Sequence, residues 1–212
     1  MSGPYWRVME AVLSEFDRSR LFEGDDAQFY DSPRLVHHVD EPFRDRLSAL
    51  YREHIEPGAD VLDLMSSWVS HLPADHPLGR VVGHGMNETE LAENDALDEW
   101  VVQDLNADRT LPFDDSAFDA VLCAISVQYL QYPGEVFAEV GRVLRPGGVC
   151  IVSFSNRMFV QKAVRAWRER DMAERAALVE SYFEAAGTFE EPTTVSDRPG
   201  QDPFVAVLAR NQ

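Results

Sequence analysis

The chain has 212 residues, 45% of them hydrophobic, which is enough for one α/β domain with a full core and too few for two large domains. Its 37 acidic residues outnumber 19 basic ones, giving a formal net charge of −18. The negative electrostatic field of such a chain disfavours nucleic acid and anionic membrane surfaces as partners. No run of the sequence reaches the roughly 18 apolar residues that a membrane span needs.

Two further features of the composition bear on the compartment. The acidic residues are dispersed and Lys162 is the single lysine, which predicts adaptation to a salt-rich cytosol in which self-repulsion is screened. Cys123 and Cys150 lie in apolar, strand-like runs without metal-ligand spacing, so we expect buried, reduced thiols and no metal site. The N-terminus lacks the features of a signal peptide. We therefore predict a cytoplasmic protein.

The N-terminal quarter is predicted to be helical. Apolar residues from Trp6 to Leu21 recur at helical spacing and predict an amphipathic helix over 4–21. After a polar stretch, Asp40 is a suitable N-cap for a second helix and Pro42 fits its first turn. Residues 1–57 are thus expected to form a helical cap on the substrate side of the protein.

Strands and helices alternate from residue 58 onward. Strands are predicted at 59–64, 80–84, 99–104, 118–125 and 148–154, and helices at 66–72, 87–95, 134–144 and within 158–186. The C-terminal segment reads as a hairpin of two strands. This alternation predicts that residues 58–212 form one compact α/β unit. We expect a single doubly wound, mostly parallel seven-stranded sheet with one antiparallel C-terminal strand.

Ligands of such sheets bind beyond the carboxyl ends of the strands, where the strand order reverses. The informative residues therefore follow the strands: Asp63 and 65–68, then 83–87, 104–106, 126–129 and 155–157. Asp63 ends a strand that reads as buried, and an unpaired buried carboxylate is costly. We expect Asp63 to be functional, with capping of the following turn as the alternative.

One long segment resembles a known superfamily. "DLNADRTLPFDDSAFDAVLCAISVQYLQYPGEVFAEVGRVLRPGG", residues 104–148, has the LPF, FDAV and RVLRPGG elements of the class I S-adenosylmethionine-dependent methyltransferases at similar spacing. "VLDLMSSWVSHLP" and "GHGMNETEL" narrow the resemblance to a branch similar to the type 11 methyltransferases. The resemblance implies a Rossmann-like methyltransferase fold over about 59–209, S-adenosyl-L-methionine as cofactor, and methyl transfer.

The first loop departs from the family pattern. Asp63 matches the family's acid, but Met65, Ser67 and Val69 stand where glycines are usual. S-adenosylmethionine has no phosphate, so it needs less close approach of the backbone than a dinucleotide does. Ser66 and Ser67 keep the side chains small and offer hydroxyl groups. We interpret the stretch as an unusual cofactor loop, with a degenerate, empty site as the alternative.

The end of the second predicted strand also departs from the family pattern. The family's ribose-binding acid falls on Gly85, and the resemblance places the neighbouring Met86 at the cofactor as well. Because Gly83 and Gly85 both lack side chains, the close backbone approach is predicted here instead of in the first loop. Asn87 or Glu88 could offset the missing acid by accepting from the ribose hydroxyls.

The remaining cofactor contacts are predicted after the third and fourth strands. Asp104 resembles the acid that faces the adenine amine, followed by Leu105, although Asp104 could simply cap its loop. Ile125, Ser126 and Tyr129 correspond to the sulfonium side of the cofactor. For Tyr129, packing of a short helix is an equal alternative.

The segment "FYDSPRLVHHVD" concentrates further chemistry. Tyr30 and Arg34 are predicted at the cofactor, since an arginine can clamp a carboxylate with two parallel hydrogen bonds. His37 and His38 are the candidate catalytic bases, because imidazole titrates near neutral pH. The alternative is that one of these histidines is packed and the other solvated.

Other polar residues near the predicted strand ends are open to two interpretations. Trp68 could belong to the core or form a ligand wall, and His71 and His84 are interpreted as mainly structural. Asn156 and Arg157 follow the fifth strand and could face a substrate.

The predicted function is S-adenosylmethionine-dependent methyl transfer to a small-molecule acceptor. A rival is a catalytically inactive protein that binds the same cofactor on the same fold and has a regulatory role. A nicotinamide-dependent oxidoreductase is disfavoured, because "DLMSSWVSH" lacks all three glycines of a Gly-x-Gly-x-x-Gly turn.

Overall fold

A computed structural model describes residues 12–212 of the chain. These residues form six α-helices: α1 Asp26–Tyr30, α2 Glu41–His54, α3 Glu88–Ala92, α4 Pro133–Val143, α5 Arg165–Arg168 and α6 Met172–Ala186. They also form seven strands: β1 Val61–Leu64, β2 Val81–Gly85, β3 Glu99–Val102, β4 Phe118–Ala124, β5 Leu144–Phe154, β6 Thr193–Asp197 and β7 Phe204–Arg210. A single 3₁₀ turn, Val127–Tyr129, follows β4.

The seven strands build one sheet in the order β3-β2-β1-β4-β5-β7-β6. The pairs among β1 to β5 are parallel, whereas β7 runs antiparallel to both β5 and β6. The predicted mixed sheet with a C-terminal hairpin is therefore confirmed. The chain moves outward from β1 to β3 and then crosses to β4 on the other side of β1, so the strand order reverses between β1 and β4.

Each face of the sheet is covered by its own apolar layer. On one face, Phe137 of α4 and Phe183 of α6 pack in a cluster that also contains Val121 and Val152. On the other face, α2 packs in a cluster with β-strand residues such as Leu122. Burial on both faces explains why the central strands are nearly continuous apolar runs.

Helix α2 shows how local sequence fixes an element. Asp40 is its N-cap and accepts a hydrogen bond from the Phe43 backbone N–H at 3.0 Å, and Pro42 lies in the first turn, as predicted. The periodic residues Leu47 and Tyr51 are fully buried against the sheet. Capping and burial of one stripe together place α2 on this face of the sheet.

Three predicted helices differ from the structure. The helix predicted over 4–21 lies partly outside the described residues, and its described part, 12–21, forms turns instead. Residues 66–72 form an irregular loop, because their polar groups bond to distant residues rather than to the next turn. Residues 158–164 are also not α-helical, so the predicted helical region begins only at α5.

No helix among residues 12–212 is long and apolar enough to cross a membrane. Cys123 and Cys150 are both buried and unpaired, as expected for structural thiols. Burial raises the pKa of Cys123 to about 12, because the thiolate form would lose its hydration.

Candidate functional site

The loops that follow β1 to β4 surround a cavity of about 150 Å³ at the carboxyl edge of the sheet. Of the predicted site residues, Gly83, Glu88, Asn156 and Arg157 do not line it. The residues that do are Tyr30, Arg34, His37, His38, Asp63, Met65, Ser66, Ser67, Gly85, Met86, Asn87, Asp104, Leu105, Ile125, Ser126 and Tyr129. Their roles in binding stay predictions, whereas their arrangement around one cavity is a feature of the structure.

Gly83 serves packing instead of the cavity. A Cβ atom at this position would lie 2.4 Å from Cδ1 of Leu97, so no side chain fits without displacing that leucine. The glycine therefore allows the segment before β3 to pack against β2. The sequence could not distinguish this role from close approach to a ligand, because both require a missing side chain.

Asp63 is the buried carboxylate of the site. It is 2% exposed, and Ser66 Oγ donates a hydrogen bond to it at 2.6 Å. Burial raises the pKa of Asp63 to about 6, although the hydroxyl groups of Ser66 and Ser70 lower it in part. A carboxylate with so little compensation is well suited to bind a cationic group that enters the cavity.

The first loop holds its shape with side-chain bonds instead of glycines. Met65 adopts a left-handed backbone conformation with φ of 56°, which is costly for a residue with a side chain. The loop is fixed to β2 by the Ser66 N–H, which donates to the His84 carbonyl at 2.7 Å, and to α3 by the Ser67 hydroxyl, which donates to Glu90 at 2.5 Å. Backbone strain at a ligand edge is typical of functional loops.

Gly85 explains why the usual ribose acid is missing. A Cβ atom at Gly85 would lie 2.6 Å from the Ser66 carbonyl oxygen and 3.1 Å from Leu91 Cδ2. The first loop therefore lies directly on the end of β2, and a carboxylate side chain cannot be placed at this position. The group that approaches Gly85 closely is the backbone of the first loop, and close approach of the cofactor to the second strand stays a prediction.

Asn87 is already engaged by the fold. Its side-chain oxygen accepts from the Glu90 N–H as the N-cap of α3, and its amide group donates to the Tyr30 and Asp31 carbonyls. Few hydrogen-bonding positions remain on Asn87 for ribose hydroxyls. Glu90, which the sequence did not single out, lines the cavity and carries a carboxylate with spare lone pairs.

The ends of β3 and β4 are joined by hydrogen bonds across the cavity wall. Asp104 caps its own loop, since its side chain accepts from the Asn106 N–H at 2.8 Å. The Asn106 amide donates to the Tyr129 carbonyl at 3.0 Å, and the Tyr129 hydroxyl accepts from the Phe159 N–H at 2.8 Å. Tyr129 packs its turn, as one alternative predicted, and it also lines the cavity, so its contact with the cofactor stays a prediction.

Arg34 supplies the fixed positive charge of the wall. Its guanidinium lies 4.9 Å from the Phe29 ring and 5.2 Å from the Phe159 ring, and it donates one hydrogen bond to the Phe29 carbonyl. No carboxylate within residues 12–212 forms an ion pair with it. The stacked rings hold the guanidinium in place while most of its donors stay available for an anion.

The two candidate bases line the outer part of the cavity. The His37 ring lies 4.7 Å from Trp68, and the His38 ring lies edge-on to Phe159 at 5.4 Å. Burial and nearby arginines lower the pKa of both histidines, so both are neutral at pH 7 and able to accept a proton. Trp68 is thus a cavity wall as well as a packing residue.

A buried ionic cluster of Arg20, Asp26 and Lys162 lies next to the cavity. Lys162, fully buried, donates to Asp26 at 2.5 Å, and Arg20 forms a second ion pair with the same carboxylate at 2.6 Å. Asn106 also donates to Asp26, which lines the cavity. The cluster therefore joins the segment before α1 to the segment before α5 and to the loop after β3.

The residues predicted after the fifth strand lie elsewhere. Asn156 is exposed, and Arg157 forms an ion pair with the buried Asp202 at 2.7 Å. Neither residue lines the cavity. The prediction that they face a substrate there is wrong, because a partner 45 positions away holds the arginine on the hairpin turn.

Besides Glu90, the sequence interpretation missed His84 as a polar residue of the cavity wall. His84, interpreted as structural, lines the cavity, and neither ring nitrogen has a hydrogen-bond partner in residues 12–212. Its place before the end of β2 was the available signal. The pairing of a buried imidazole depends on the tertiary structure and could not be predicted from one sequence.

The sheet and this cavity have the α/β fold of the S-adenosylmethionine-dependent methyltransferases, and the chain is similar to methyltransferases in sequence over part of its length. A family model described as a methyltransferase domain matches residues 67–152. A malonyl-[acyl-carrier protein] O-methyltransferase of Hahella chejuensis is 32% identical over 176 residues, which are 77% of this chain and 61% of the relative. The chain thus spans about three fifths of that relative's length.

Solved structures show the same fold. A phosphoethanolamine N-methyltransferase 2 of Haemonchus contortus in complex with S-adenosyl-L-methionine has a TM-score of 0.60 at 14% identity, covering 80% of this chain and 52% of that one. A SAM-dependent methyltransferase from Aquifex aeolicus has a TM-score of 0.59 at 16% identity, covering 88% and 97%. At these identities the likeness concerns the fold alone.

Proposed function

We propose that the protein binds S-adenosyl-L-methionine in this cavity and transfers its methyl group to a small-molecule acceptor. The observation that carries the proposal is the buried, weakly compensated Asp63 carboxylate at the strand-order reversal of a methyltransferase sheet. A cationic ligand is the chemical complement of that group. The family match and the O-methyltransferase relative support the same reaction class.

The residues present fit the cofactor's separate chemical groups. Asp63 would hold the methionyl ammonium, and Arg34 the methionyl carboxylate. Asp104 and Leu105 would face the adenine, and Glu90 offers a carboxylate to the ribose hydroxyls in place of the acid excluded at Gly85. When bound, S-adenosylmethionine supplies a methyl group that its sulfonium already activates for displacement.

The chain's own part in the chemistry is positioning. Holding the acceptor in line with the activated carbon supplies much of the rate enhancement and requires no obligatory base. Where the acceptor is an alcohol, phenol or amine, the neutral His37 or His38 ring would take up its proton. The rings of Phe159 and Tyr129 form an aromatic wall beside Arg34.

A small acceptor is favoured over a nucleic acid, because a net charge of −18 repels phosphate backbones. The same charge supports the proposed salt-rich cytoplasm, and the buried thiols fit a reducing compartment. The relative's name describes methylation of a protein-bound malonyl group, so a carrier-bound acyl group is the alternative acceptor.

The strained first loop and the absent ribose acid favour a second candidate, a protein that binds the cofactor without transferring its methyl group. Incubation with S-adenosylmethionine carrying a labelled methyl group, together with a cell extract, separates the two. Methyl transfer predicts that S-adenosylhomocysteine forms and that label enters the small-molecule fraction. Cofactor binding without S-adenosylhomocysteine formation would favour the inactive candidate, and label confined to protein would favour the carrier-bound acceptor.

The role of Arg34 has a specific test. Arg34→Met is expected to weaken S-adenosylhomocysteine binding about tenfold or more, because a charge-assisted pair is lost. Binding of 5′-methylthioadenosine, which lacks the amino acid carboxylate, should be unchanged. Calorimetry with both ligands measures the difference, and Arg80→Met, at an exposed ion pair away from the cavity, is the matched control. Equal weakening of both ligands would show that Arg34 does not bind the carboxylate.

A further inference from the structure

His84 is a buried imidazole whose hydrogen-bonding capacity is unused. The residue is 1% exposed, and both ring nitrogens lie inside the protein without a hydrogen-bond partner among the described residues. Buried polar groups in native proteins are nearly always paired, so such a group needs a specific explanation. A histidine kept only for packing would be replaceable by an apolar residue without this cost.

The position of His84 points to the nucleoside end of the cavity. Side chains alternate along a strand, so His84 shares a face with Val82, in the layer that also contains Leu64 and Leu105. Within β2 it is paired with Leu64 of β1 and Val101 of β3. His84 therefore lines the cavity between the loop of Asp63 and the loop of Asp104, with its ring nitrogens buried behind the cavity surface.

The residues next to His84 cannot supply the polar group that is missing at the end of β2. Gly85 has no room for a side chain, and the Asn87 amide is engaged by the backbone of α1 and its C-cap. The Gln103 NH2 group donates to the Asp108 and Thr110 carbonyls, so only the Gln103 side-chain oxygen is left to interact with the imidazole, whose pKa it raises in part. That oxygen can accept from one ring nitrogen at most, so the imidazole keeps hydrogen-bonding capacity for a ligand.

The charge state of the ring limits the ligand chemistry. Burial lowers the pKa of His84 to about 4, so the ring is neutral at physiological pH. A neutral imidazole offers one donor and one acceptor. It matches a hydroxyl group or the edge of a base, and it does not match a carboxylate or a phosphate.

We propose that His84 is a positioning residue that binds the adenosyl part of the cofactor, in place of the acid that Gly85 excludes. The inference rests on the proposed function, because it takes the ligand to be an adenosyl compound. Two groups on that ligand have the required chemistry, a ribose hydroxyl and the edge of the adenine. The shared requirement is a neutral group that can donate and accept.

The test compares His84→Leu with the wild-type protein in two measurements. Adenosine and S-adenosylhomocysteine should each bind about tenfold more weakly to the variant, since one buried hydrogen bond is lost. The melting temperature without ligand should stay equal or rise, because an apolar residue removes an unpaired polar group. If His84 has a structural role instead, ligand affinity should be unchanged and the melting temperature should fall. His54→Gln, on α2 and away from the cavity, is the control.

The ligand panel identifies the partner group. If a ribose hydroxyl is bound, 2′-deoxyadenosine or 3′-deoxyadenosine should bind the wild type more weakly than adenosine does, and the variant should not discriminate between them. If the edge of the adenine is bound, inosine should bind the wild type more weakly than adenosine does, and the variant should not discriminate between these two. His84→Gln keeps a donor and an acceptor and should recover part of the affinity, and it replaces the leucine variant should that variant fail to fold.

The outcomes separate this inference from the proposed function. Wild-type affinity for adenosine and S-adenosylhomocysteine in a folded His84→Leu variant would overturn the inference and leave the proposed function intact. Failure of both ligands to bind the folded wild type would instead overturn the proposed function. Weaker binding with a matching fall in melting temperature, and no change in discrimination, would also contradict the inference.

Discussion

Asp63→Asn is expected to stabilise the unliganded protein at neutral pH and to weaken cofactor binding strongly. Burial raises the pKa of Asp63 to about 6, against an ordinary value of 3.8. A raised folded-state pKa means that the folded protein binds this proton more tightly than the unfolded chain does. The associated stability is full below about pH 4 and is lost as the pH rises through 6.

Above pH 7 the ionised Asp63 should therefore cost the wild type about 3 kcal/mol relative to the neutral asparagine. Denaturant unfolding at pH 4.5, 7 and 8 measures this cost, and the difference between the two proteins should grow with pH and then level off. Asp60→Asn is a control of opposite sign. The Arg80 N–H and the Arg145 guanidinium hold the pKa of Asp60 below its usual range, so this change should lower stability at pH 7.

The binding consequence of Asp63→Asn follows from the same carboxylate. Removing the anion that receives a cationic ligand inside a cavity should weaken S-adenosylmethionine binding by about 100-fold or more. In the wild type, affinity should also fall below pH 6, because protonation of Asp63 competes with the ligand. Wild-type affinity in Asp63→Asn, or a loss of stability at pH 7, would show that the carboxylate is a structural cap.

Lys162→Met is expected to cause the largest loss of stability. Lys162 is fully buried and donates to Asp26, and its removal leaves a buried carboxylate with fewer partners. Removal of one member of a buried ion pair typically costs about 3–5 kcal/mol, and the second ion pair from Arg20 favours the lower end of this range. Denaturant unfolding at constant salt measures the free energy of unfolding.

The control for Lys162 is an ion pair at the surface. Arg165 and Glu169 form an i,i+4 pair that is partly exposed on both sides, so Arg165→Met should change stability by less than about 1 kcal/mol. Because Asp26 lines the cavity, Lys162→Met should also weaken cofactor binding. A change in stability no larger than that of Arg165→Met would contradict a supporting role for the buried cluster.

The fold was predictable from the sequence because its signals are local. Asp40 precedes Pro42 and a periodic apolar stripe, and these determine α2 without reference to the rest of the chain. Continuous apolar runs identify the central strands in the same way. The segment 66–72 was mispredicted because its conformation depends on Glu90 and Asn94, whose hydrogen bonds to the loop cannot be inferred from residue order.

The candidate site was predictable to the extent that topology brings strand ends together. Asp63 and Asp104 follow parallel strands, and both line the cavity for that reason. Glu90 and His84 were missed because their significance depends on other residues. The proposed role of Glu90 depends on the engagement of Asn87 by the fold, and that of His84 on the absence of a hydrogen-bond partner for its ring nitrogens in the described chain.

The most direct test of the central claim is calorimetric titration of the wild-type protein with S-adenosylmethionine, S-adenosylhomocysteine and NAD. A high-potassium buffer suits a chain of net charge −18, whose self-repulsion is screened by salt. Saturable binding of the first two ligands, with no binding of NAD, is the expected result. A folded sample that binds neither S-adenosyl compound would contradict the claim that the loop of Met65 to Trp68 forms a cofactor site.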